Sequence, residues 1–122
     1  MKNLLEYAGA IQKSQDSPDL IADLLSEMSV HYAYLSEQHI KYKMVKADWE
    51  NKAKFFTDNG KTELNKPLSD KAVENKWRRT KQGKEEYKMN SEIKVLEKLM
   101  SNLRSILSQR KAEAQAVNYG GI

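Results

Sequence analysis

Apolar residues recur with helical spacing along most of this chain. Ile21, Met28, Leu35, Tyr42, Trp49 and Phe56 fall every seven residues, the repeat that keeps one face of an α-helix apolar. The seam would run ~54 Å at about 1.5 Å per residue. Between these positions Leu25, Tyr32 and Ala53 are apolar while His39 and Lys46 are polar, so the pattern predicts a long surface helix with one sticky edge. Ser17-Pro18 marks its start, a hydroxyl cap followed by proline at the first helical position. Asp58-Asn59-Gly60 marks its end, because asparagine and glycine accept the left-handed conformation of a C-terminal cap. From Met89 onward a second seam alternates steps of three and four: Ile93, Leu96, Met100, Leu103, Leu107, then Arg110, Ala114 and Val117. Val95, Leu99 and Ile106 add a strip beside it, wider than one partner helix covers. Ile93, Val95, Leu96, Leu99, Met100, Leu103, Ile106 and Leu107 are therefore expected to join copies of the chain.

The remaining segments connect these two. Residues 3–13 carry Leu4, Leu5, Ala8 and Ile11 on one face, a short amphipathic helix expected to be mobile or docked on a partner. Residues 61–69 form a loop in which Pro67 and Ser69 prepare the second long helix. The expected architecture is all-α: an arm over 1–16, an elongated, self-associating hairpin of two long helices over 17–118 with a coiled-coil-like C-terminal helix, and a tail at 119–122.

Composition agrees with helices. The chain has 122 residues, 31% of them charged, with only five glycines and two prolines. It has no cysteine, which excludes disulfides and thiolate metal sites. Its opening residues carry too short an apolar run for a signal peptide, and no later stretch approaches the ~20 apolar residues of a membrane span. An intracellular protein without membrane attachment is expected.

Catalysis finds little in this sequence, and no enzyme activity, cofactor or metal site is expected. His31 and His39 are too far apart for the i, i+4 pair of a helical metal site. Gly60-Lys61-Thr62 has the ending of a phosphate-binding loop, but Phe55 stands where the first glycine is required. Glu85 and Glu86 are adjacent and point to different helix faces.

Charge alters the picture. The net charge is +4, yet residues 1–37 hold two basic and six acidic groups, and residues 71–91 hold seven basic and three acidic. Such polarity points to a polyanion at the basic part or to a surface charged without consequence. In residues 51–61 Lys52, Lys54 and Lys61 surround Phe55, Phe56 and Gly60. Cations neutralise phosphates and aromatic faces stack on unpaired bases, a combination suited to single strands. Phe56 also lies on the seven-residue seam and has core packing as its alternative. Lys76, Trp77, Arg78, Arg79, Lys81 and Lys84 make a second cluster, with Trp77 facing either the strand or the Trp49–Phe56 end of the first helix. Gly83 in this cluster weakens a helix by up to ~1 kcal/mol relative to alanine.

The order Lys52-Ala53-Lys54, Phe55-Phe56, Gly60-Lys61, at the end of a long helix and followed by a coiled-coil-like one, resembles phage recombination mediators of the UvsY family. The aromatics here follow the second basic residue directly, and the gap before the glycine is longer than in that family. The resemblance implies a small helical oligomer in the cytoplasm of a phage-infected bacterium. It would bind single-stranded DNA through Lys52, Lys54, Phe55, Phe56, Gly60 and Lys61, contact a single-strand-binding protein and a RecA-like recombinase, and help the recombinase load. The alternative from a different class is a phage-encoded interaction module, an inhibitor or adaptor of a host protein that binds no nucleic acid.

Overall fold

A computed structural model describes residues 2–57, 60 and 62–120, the last four as backbone only. The described residues form four helices: α1 Leu4–Ser14, α2 Pro18–Phe55, α3 Asp70–Arg79 and α4 Lys81–Gly120. The chain is all-α with a long C-terminal helix. It divides into two compact units, Met1–Tyr34 with Glu92–Ile122, and Leu35–Ser91.

In the first unit α1 opens with a capping box. Asn3 Oδ1 accepts from the Glu6 amide at 2.8 Å while Glu6 Oε1 accepts from the Asn3 amide at 3.5 Å, so two amides without helical partners are satisfied reciprocally. Ser17 caps α2 as its sequence suggests, its Oγ accepting from the Leu20 amide at 3.3 Å ahead of Pro18. The core is drawn from three helices: Tyr7 of α1, Ile21, Leu24 and Met28 of α2, and Ile93, Leu96, Met100 and Leu103 of α4.

Two expectations change here. Ile93, Leu96, Met100 and Leu103 are consumed by packing within the chain, because α1 and the start of α2 share a core with them. Of the expected interface, Val95 stays exposed and Leu99, Ile106 and Leu107 are half-buried. The arm at the N-terminus is packed through Tyr7, which is fully buried, whereas Leu5 of the anticipated apolar face points to solvent. Tyr7 Oη lies 3.0 Å from His31 Nδ1. Lys2 bonds Glu27 at 2.7 Å. Arg110, at a polar position of the α4 seam, donates from Nε to the carbonyl of Gln15 at 2.9 Å and caps the end of α1.

The second unit joins the later part of α2, α3 and the first turns of α4. Its buried apolar set is small, consisting of Leu35, Val73 and Trp77. Polar clamps complete it. Lys46 lies 3.0 Å from Glu74, 3.6 Å from Glu86 and 3.7 Å from Glu50, tying all three helices to one cation. Tyr42 donates to Glu85 at 2.6 Å.

The second long helix is interrupted, and Thr80 is the reason. Its extended backbone (φ −71°, ψ 157°) ends α3, where its amide bonds the Trp77 carbonyl at 3.0 Å. Its hydroxyl then accepts from the Gly83 amide at 2.9 Å and caps α4. Gly83 is required by this turn. A Cβ placed there would lie 1.8 Å from the Trp77 carbonyl oxygen, so the last turn of α3 rests directly on the first turn of α4.

Candidate nucleic-acid interface

The first cluster forms where α2 stops. Lys52 and Lys54 occupy its last turn, where the helix dipole favours cations. The carbonyls exposed at this terminus are met by the following loop: the Leu64 amide donates to Phe55 O at 2.8 Å and the Leu68 amide to Lys54 O at 3.1 Å. Phe56 leaves the helix and pairs with Glu63 in an isolated antiparallel bridge. Between them the Thr57 amide reaches Thr62 O at 2.8 Å, and Gly60, at φ +69°, donates to Thr57 O at 2.7 Å. That left-handed conformation suits glycine.

Phe55 and Phe56 are 39% and 37% exposed. Core packing is thus not the fate of Phe56, because α2 ends one residue before it and the helical period that placed it on the seam no longer applies. Lys52 is exposed, whereas Lys54 is committed to Asp70 at 2.9 Å with its ammonium 6.0 Å from the Phe55 ring centre. The hydrogen bond from Lys54, reinforced by its charge, holds the Asp70 carboxyl below the usual carboxylate range. Lys61 lies outside the described residues.

The second cluster divides into an inward and an outward set. Trp77 is 1% exposed, with its indole against Trp49 at 5.3 Å between ring centres and its Nε1 donating to Glu86 at 3.1 Å. Its ring is therefore a core element and offers no face to a strand. Lys76 is half-buried and already engaged. Arg78, Arg79, Lys81 and Lys84 are exposed; Arg78 makes only a 3.5 Å ion pair with Glu74 one turn earlier. Composition alone does not distinguish these sets, since cationic residues occur in both. The exposed aromatic of this region is Tyr87, between Lys84 and Lys88.

Charge follows the unit boundary. Residues 35–91 carry 14 basic and nine acidic residues, a net of +5, and the rest of the chain carries seven and eight, a net of −1. Among the described residues no group of three or more histidines or carboxylates is arranged to hold a metal, and no helix is long and apolar enough to cross a membrane. No family model, curated protein or solved structure shows significant similarity to the chain.

Proposed function

We propose that this chain is a single-stranded DNA-binding accessory protein of phage recombination or replication that helps a recombinase load, and that it works as a homo-oligomer. The observation carrying the proposal is the pair of accessible phenylalanines beside exposed Lys52, in a unit that holds the whole positive excess of the chain. Accessible rings stack on unpaired bases and the lysines neutralise phosphates. The mediator role rests on the resemblance at residues 52–61. Self-association is supported by the exposed Val95 and half-buried Leu99 and Ile106 on α4.

Titrating single-stranded oligonucleotide at several salt concentrations tests this reading. Replacing Lys52 and Lys61 with alanine should flatten the slope of log affinity against log salt by about 1.4, and adding Lys54→Ala should change it less, because Lys54 is shared with Asp70. Phe55→Ala should weaken binding by ~1–3 kcal/mol at every salt. If the triple lysine variant binds as tightly as the parent with the same slope, the reading fails. The second reading, a module that docks on a host protein, is favoured by Ile40 and Met44, exposed one turn apart on α2. In that case oligonucleotide would not bind at all.

A further inference from the structure

The burial of Trp77 leaves the second basic cluster without the aromatic that its sequence offered first. Tyr87 takes that place. It is 69% exposed, and its phenol has no hydrogen-bond partner among the described residues. Of the two acids that precede it in Lys84-Glu85-Glu86-Tyr87-Lys88, Glu86 is half-buried and turned into the unit, and the exposed Glu85 is engaged by a neighbouring helix. Glu85 accepts from Tyr42 at 2.6 Å, and Glu86 accepts from Trp77 at 3.1 Å and faces Lys46 at 3.6 Å. Lys81, Lys84, Tyr87 and Lys88 are exposed on this part of α4, together with Gln82 and the Tyr42-bound Glu85. Lys84, Tyr87, Lys88 and Ser91 fall within a sector of about 100° on a helix of 3.6 residues per turn. Gly83, one turn before Tyr87, is where α3 rests on α4, so Arg78 and Arg79 stand at the same junction.

We propose that Tyr87, flanked by Lys84 and Lys88, is a second base-stacking contact for single-stranded nucleic acid on α4. The inference rests on the strand-binding reading above and adds to it a residue and a surface that the 52–61 motif does not contain. A phenol ring exposed on a helix face offers one flat side to an unpaired base, and the lysines on either side hold the phosphates that flank that base. A duplex, whose bases are stacked on each other, has nothing to place there.

The test is fluorescence anisotropy of an end-labelled thymine oligonucleotide with the full chain, over a salt series, with a duplex of the same length beside it. Tyr87→Ala should weaken single-strand binding about fivefold or more at every salt with the slope unchanged, and leave duplex binding as it was. Tyr87→Phe keeps the ring and should bind like the parent. Lys84→Ala with Lys88→Ala should instead flatten the salt slope by about 1.4. Because the Tyr87 ring is solvent-exposed, circular dichroism of all these variants should match the parent. Parent-like binding by Tyr87→Ala, in a protein that still loses affinity on Phe55→Ala, overturns this inference and leaves the strand reading standing. Equal loss in Tyr87→Ala and Tyr87→Phe overturns stacking in favour of a hydroxyl contact. Absence of binding by the parent overturns both.

Discussion

Gly83 reverses the ordinary rule for glycine in a helix. At an exposed helical site, exchange for alanine gains up to ~1 kcal/mol; here the added methyl meets the Trp77 carbonyl, and α3 must lift off α4. Gly83→Ala should therefore destabilise the protein by ~1–3 kcal/mol, as overpacking does, lowering the urea midpoint. An unchanged or higher midpoint would show that the junction yields freely. At this scale the sequence was partly legible. Ser17-Pro18 works as a cap because its chemistry is local. The role of Thr80 was hidden, since a threonine within a basic helical run looks the same whether or not its backbone is extended. Phe55 lies off the seam and is accessible, whereas Trp77, for which the sequence leaves two directions open, turns inward because only tertiary packing decides which aromatic is covered.

Among elements, the seven-residue seam of α2 is covered at its start and less so toward its end: Ile21, Met28 and Leu35 are buried, Tyr42 and Trp49 half-buried, and Phe56 exposed. As apolar burial declines along α2, polar clamps replace it, and these titrate, as does the buried Tyr7 of α1. Burial raises the pKa of the Tyr7 phenol, and the hydrogen bond to Glu85 raises that of Tyr42. Burial alone would lower the pKa of Lys46, but Glu74, Glu86 and Glu50 together outweigh it and raise the value. A group whose pKa rises on folding holds its proton more tightly in the folded chain. The stability it lends is complete below the unfolded-chain value, about 10 for tyrosine and lysine, and drains away as pH climbs through the raised value. Urea midpoints should thus stay level through neutral pH and fall from about pH 10 upward. The fall should be shallower in Tyr7→Phe, which has no phenol to ionise. A flat profile to pH 11 or so would show these clamps to be energetically silent.

For the whole molecule, the proposed self-association rests on Val95, exposed beside the buried seam of α4, and on the half-buried Leu99 and Ile106. Leu103 is fully buried, so Leu103→Asp should unfold its unit, with loss of helical circular dichroism. Val95→Asp lies outside the core and should lower the mass seen by light scattering while helix content is kept. A parent mass equal to one chain at micromolar concentration would remove self-association from the proposal. The order of the two units along the sequence also sets an order in time. Residues 35–91 are one continuous stretch closed by near pairs such as Trp77 with Glu86 and Lys54 with Asp70, nine and 16 residues apart. The other unit, drawn from the two flanking stretches of sequence, is closed by Tyr32 with Glu97 and Arg110 with Gln15, 65 and 95 residues apart. Short closures form first because they surrender less chain entropy. Residues 35–91 can thus collapse before the flanking stretches meet, and the basic surface is assembled before the N-terminal helix has a core to dock on. Pulsed hydrogen exchange during refolding should accordingly protect the amides of α3 before those of α1, and the reverse order would show that the distant ends find each other first.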